Sequence, residues 1–195
     1  IFAGYFEEDY LDALRNNERA EVFDKMRRSD PQIKMCLSAV KNPIKSASAE
    51  INPAGDDFYY QNDARLIEKI LFESMATPFP RFVSEALTMI EFGYSMFEVT
   101  HKNFINNPVK DSEGTTILNS FTGIRNISWR SPKTIDRWNL NHETGELESV
   151  LQLAYGDLSR DVTIPAKYLL LFTLEREGSN YEGISLLRHC YGNWF

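Results

Sequence analysis

The stretch Phe82 to Val99 (FVSEALTMIEFGYSMFEV) changes its hydrophobic period halfway along. Phe82, Val83, Ala86, Leu87 and Ile90 recur at helical spacing and form one apolar stripe. Gly93 follows the last of them, where a left-handed turn costs glycine little. Beyond it the period is two, with Ser95, Phe97 and Val99 on one face and Met96, Glu98 and Thr100 on the other. The pattern predicts a helix that ends at Gly93 and passes directly into a half-buried strand.

Upstream the period is helical. Tyr5, Tyr10, Leu11, Leu14, Val22, Phe23 and Met26 mark two short helices across 5–29, with Asn17 before Glu18 as break and cap. Asp30-Pro31 is a stronger start signal, because Asp30 can cap and Pro31 lacks an N–H where none is needed. The helix it opens carries Ile33, Met35, Cys36, Leu37, Val40 and Ile44, and Pro43 ends or kinks it. Ser46 to Pro53 alternates and predicts a strand, and Pro53 to Asp57 a turn. Another helix is expected over Ala64 to Ser74, with Leu66, Ile67, Ile70 and Leu71 inward.

Downstream the period is mostly two. His101 to Ser120 is polar and predicts a mobile hairpin loop or insertion. Ile124, Ile127 and Trp129 mark one strand. Residues 133–154 predict a hairpin that turns at Asn141 to Gly145. Ile164-Pro165 opens a connector, Tyr168 to Thr173 is a continuous apolar run suited to a buried strand, and Gly183-Ile184-Ser185 leads into a last helix with Leu186, Leu187 and Tyr191 inward. The sum is α+β: N-terminal helices, a mainly antiparallel sheet with a central helix-to-strand unit, and a C-terminal helix, in one domain over 1–195.

Composition narrows the function classes. A chain of 195 residues with 43% hydrophobic and 25% charged residues can bury a core. Its net charge of −7 argues against a surface that grips phosphates along its length. Cys36 and Cys190 stand outside any ligand spacing and are expected as free thiols. There is no membrane-span run and no secretory leader pattern. The first residue is not Met, and LLRHCYGNWF closes the sequence within an apolar pattern; the expectation is a piece of a longer protein.

Candidate chemistry is sparse. His101, His142 and His189 have no ligand spacing, so no metal or cofactor is expected. The acidic groups Glu7-Glu8-Asp9, Asp56-Asp57 and Glu175 with Glu177 read as solvated charge. Glu98, inside a strand, is the one carboxylate to weigh for acid–base work. No phosphate-binding glycine loop or nucleophile elbow occurs. Arg125, Arg130, Lys133 and Arg137, interleaved with Trp129 and Trp138, superficially suggest a nucleic-acid surface, although such residues also flank buried aromatics on ordinary strands.

Several segments in order go further. Met26 to Ile33 (MRRSDPQI), Leu37 to Ile44 and Ala49 to Pro53 (AEINP) resemble the opening of tailed-bacteriophage portal proteins; the Trp usual in that family before the last residues of the third segment is absent here. Glu91 to Val99 (EFGYSMFEV), Ile127 to Pro132 with Trp138, Gly145-Glu146-Leu147 with Gln152, Ile164 to Leu169 (IPAKYL) and Gly183 to Arg188 (GISLLR) are similar to later portal segments. The resemblance covers about Met26 to the end.

It implies a homo-oligomeric ring, usually of twelve subunits, at one capsid vertex of a virion, assembled in the host cytoplasm. Double-stranded DNA is packaged and ejected through the channel. Partners would be the terminase motor, which hydrolyses the ATP, the major capsid protein, and neck or tail adaptors. The portal itself would be no enzyme. This chain would be the wing, with stem, clip and crown beyond it. A ring needs two different faces on each subunit; Trp129, Arg130, Trp138 and Tyr94 are the candidates for such an interface, with burial in the subunit's own core as the alternative. The competing classes are a monomeric protein-interaction module and a carboxylate-dependent hydrolase using Glu98.

Overall fold

The computed structural model describes residues 11–15, 18–153, 160–178 and 180–194. The N-terminal layer is helical. A 3-10 turn, Asp12–Leu14, precedes α1 (Glu18–Ser29) and α2 (Pro31–Lys45). Asp30 caps α2 as its sequence suggests, its carboxylate accepting from the backbone N–H groups of Gln32 and Ile33 at 2.8 and 3.1 Å. The α2 helix runs through Pro43, which falls in the last turn and so costs little of the hydrogen-bond ladder.

The segment Ser46 to Pro53 forms no strand. Its alternation is of small and polar residues that are almost all exposed, and a lone extended segment without a partner gains no ladder. The next helix starts earlier than expected, as α3 (Phe58–Glu68), and continues as a π-helical turn, Lys69–Ser74. Then come α4 (Phe79–Ala86) and a short α5 (Met89–Phe92), closed by Gly93 at φ 87°.

From Gly93 the chain enters β1 (Tyr94–Phe104), the centre of a sheet of order β4-β1-β8 with β4 (Phe121–Arg130) and β8 (Leu169–Thr173), antiparallel throughout. Phe97 stands opposite Trp129 on one side and Leu170 on the other. His101 to Phe104 still belong to β1, where a loop is expected; residues 105–120 make the hairpin connection, with a small ladder between β2 (Val109–Lys110) and β3 (Thr116–Leu118). A second antiparallel sheet, β5-β6-β7, joins β5 (Ile135–Leu140), β6 (Leu147–Gln152) and β7 (Val162–Pro165). The expected connector at Ile164-Pro165 is therefore the end of a strand. The chain closes with α6 (Leu186–Trp194).

Three cores result, and β1 or its lead-in touches each. Leu14, Phe23, Met26, Leu37, Ile90 and Leu187 pack the helical core. Tyr94 and Met96 face the second sheet, against Ile135 and Val150. Phe97 faces α4, with Ile127, Phe82 and Phe172 around it. Residues 94–97 are thus buried on both faces, where the alternation alone predicts one; the second sheet covers the other. By contrast β8 is partly exposed along its length, because it is the sheet's edge rather than its middle.

Two glycines lock the junction. Gly93 and Gly183 both have positive φ, and a Cβ at either would collide with a backbone carbonyl, that of Glu182 or of Leu174 respectively. This close approach lets Leu174 N–H donate to the Gly93 carbonyl at 2.7 Å and Ile184 N–H to the Leu174 carbonyl at 2.9 Å.

Candidate functional site

Among the described residues, three carboxylates lie buried where helices and sheets meet: Asp24 on α1, Glu91 on α5 and Glu182 before α6. Each is met by cations. Lys133, from the turn between β4 and β5, donates to Asp24 at 2.5 Å, and Arg27 and Arg28 donate at 2.6 and 2.9 Å. Burial pushes the Asp24 carboxyl up, but the hydrogen bonds from Lys133, Arg27 and Arg28 outweigh it and hold its pKa at about 2 against an ordinary 3.8. Arg27 also reaches Glu91 at 3.6 Å and lies 4.9 Å from the centre of the Phe92 ring. Lys41 of α2 sits 2.5 Å from the other Glu91 oxygen. Glu182 accepts from the Trp138 indole N–H at 2.7 Å and pairs with Arg19 of α1.

The arrangement is a set of cross-braces. Charges buried without partners would be forbidding, and pairing with several donors each makes them tolerable. They join α1 to α5, α5 to α2, and α1 to the β5 edge of the second sheet, at Lys133 and, through Glu182, at Trp138. Ser185 adds a neutral brace: it donates to the Glu91 carbonyl at 2.5 Å and accepts from Leu187 N–H at 3.0 Å, capping α6.

The four residues singled out as interface candidates do not form one patch. Tyr94 is 3% exposed and meets Trp138 edge to face at 5.2 Å. Trp138 is half-buried and also stacks on Tyr181 at 6.1 Å. Trp129 packs on the α4 side and donates to Ser95 Oγ at 3.1 Å. Arg130 points to the opposite side of β4 and pairs with Glu98. Glu98 is therefore already engaged by a cation.

Asp56, Asp57, Glu175 and Glu177 are exposed, as are His101, His142 and His189; Glu7, Glu8 and Asp9 lie outside the described residues. Cys36 and Cys190 are free, exposed thiols that line one groove of about 390 Å³ between α2 and α6. Among the described residues no group of His, Cys, Asp and Glu is arranged to hold a metal, and no helix is long and apolar enough to cross a membrane.

Sequence reasoning missed the braces themselves. Asp24 with Arg27 and Arg28 shows the i, i+3 and i, i+4 spacing of helical ion pairs, so half of that cluster was readable. Lys133 is 109 residues away. Glu91 stands between Ile90 and Phe92, and an acid inside an apolar run was the available sign of a buried charge.

The surface carries the remaining signal. Met35, Val40 and Ile44 of α2 and Phe58, Tyr59 and Tyr60 of α3 are exposed. Fold and site together present a braced scaffold that puts its buried charge into ion pairs and leaves apolar side chains exposed on α2 and α3. The family described as the portal protein of Mu bacteriophage matches residues 20–195, and the chain belongs to that family. No curated protein matches the chain.

Proposed function

We propose that the chain is the wing part of a portal subunit, which closes with copies of itself into a dodecameric ring at one capsid vertex. Double-stranded DNA would pass through the ring during packaging and ejection. The family match over residues 20–195 carries this reading. Two features of the chain support it. Its net charge of −7 suits a conduit, since tight phosphate contacts would brake the passing duplex. Its braced layers suit a part that transmits load between neighbours. The terminase motor, the major capsid protein and neck or tail adaptors would be its further partners, in the virion and earlier in the host cytoplasm. Trp129, Arg130 and the outer edge of Trp138 remain proposed contact points; Tyr94 could act only through Trp138, against which it packs.

The test is the particle formed by the intact gene product. Electron micrographs should show rings with a central hole, and native mass should be a multiple of the subunit. A single-subunit mass under every condition would refute the reading and favour a monomeric interaction module.

A further inference from the structure

An acidic protein concentrates cations in one place. Arg27, Arg28, Lys34 and Lys41 line a cleft of about 420 Å³ between α1 and α2, floored by Leu37 and Glu91. Asp24 and Glu91 offset part of this charge from below. Lys34 is exposed and, among the described residues, has no ion-pair partner. The cleft therefore faces solvent with positive charge to spare.

The complementary feature lies on the same chain. Asp56 and Asp57 are exposed and enter no ion pair among the described residues, and the Asp57 side chain makes no capping hydrogen bond at the start of α3. They lead directly into Phe58 and Tyr59, which are 67% and 78% exposed and stack edge to face at 6.1 Å. The knob is held in shape by its own contacts: Tyr60 lies over Gly55, and the Gln61 amide donates to the Gly55 carbonyl at 3.3 Å. A preformed projection loses little freedom on docking.

We propose that the acidic–aromatic knob at Asp56–Tyr59 of one subunit docks into the basic cleft between α1 and α2 of the next subunit. The carboxylates meet Lys34 and Arg28, and the rings cover Leu37 and the stems of the basic side chains. Guanidinium groups accept both carboxylates and aromatic faces, so one cleft serves both halves of the knob. The two surfaces differ and belong to one molecule, which makes the contact head-to-tail, the kind that closes into rings. The proposal rests on the ring reading above and names a contact within it.

The test uses the intact gene product with Cys36→Ser and Cys190→Ser, so that added thiols act alone. Lys34→Cys combined with Asp57→Cys should give, on mild oxidation, a ladder of covalent oligomers that neither single variant gives. Separately, Lys34→Glu and Asp57→Lys should each raise the concentration for half-assembly about tenfold, and the two together should bring it back to within about threefold of the parent. A disulfide within one subunit and no ladder would overturn the proposal, because the cleft is then filled by its own chain. Rings that form normally without cross-linking, and that are indifferent to Lys34→Glu, would overturn it while leaving the ring reading intact. A parent protein that never assembles would bring down the ring reading first.

Discussion

Replacing Asp24 by Asn isolates the best-defined brace. The substitution keeps the side chain's size and removes its charge, leaving Lys133, Arg27 and Arg28 around a neutral amide. The magnitude follows from the carboxyl's pKa of about 2 in the folded protein against an ordinary 3.8. At roughly 1.4 kcal/mol per unit, that difference makes the ionised carboxylate worth about 2 kcal/mol to the folded state. Because the folded pKa is the lower of the two, this contribution is complete above about pH 4 to 5. It fades as the pH falls from 4 towards 2, where the carboxyl protonates in both states.

Urea unfolding of the parent and of Asp24→Asn, at pH 7 and at intervals down to pH 2.5, reads this directly. At pH 7 the variant should be less stable by at least about 2 kcal/mol, and by more if the stranded cations cannot reach water. The gap should narrow by most of that amount as the pH falls below 4. A gap that does not change with pH would show that the loss comes from packing. A gap below about 0.5 kcal/mol at pH 7 would show that the pairs only offset their own desolvation. Either result refutes the reasoning.

Two further outcomes can be checked by the same unfolding measurements. Gly183→Ala should destabilise by several kcal/mol, beyond the roughly 1 kcal/mol usual for a left-handed position, because the added carbon collides with the Leu174 carbonyl; Gly145→Ala, also at positive φ but with open space around it, should cost only the smaller amount. A double-mutant cycle of Trp138→Phe with Glu182→Met should show a coupling of about 1 to 3 kcal/mol, since each removes one end of the 2.7 Å indole–carboxylate bond; additive losses would mean that Arg19 alone sets the position of Glu182.

Local signals in the sequence were dependable where the physics is local. The Asp30-Pro31 cap, the Gly93 switch from helix to strand and the β5–β6 hairpin with its turn at Asn141 to Gly145 all depend on residues close together in sequence, and all are present. Ser46 to Pro53 failed because alternation states only that a strand is possible; a partner decides whether it forms. The apolar run Tyr168 to Thr173 gave a strand, but its place at the sheet's edge depends on strand order, which hydropathy does not encode. The apolar residues of α2 divide between core and surface: Leu37 is buried, while Met35 is 66% exposed. The candidate site was the least legible part. The braces unite Asp24 with Lys133 and Trp138 with Glu182 across long loops, and nothing in either neighbourhood names its counterpart.

The placing of β1 has a consequence for biosynthesis. Its two flanking strands are made later, the first at 121–130 and the second at 169–173. While the ribosome is still adding the residues between them, Tyr94 to Glu98 present an open row of backbone donors and acceptors beside the apolar side chains of Tyr94, Met96 and Phe97. A nascent chain at that stage is an adhesive intermediate. Slow decoding or truncation before Leu169 should therefore yield insoluble material, whereas the same delay after Thr173 should be harmless to the sheet.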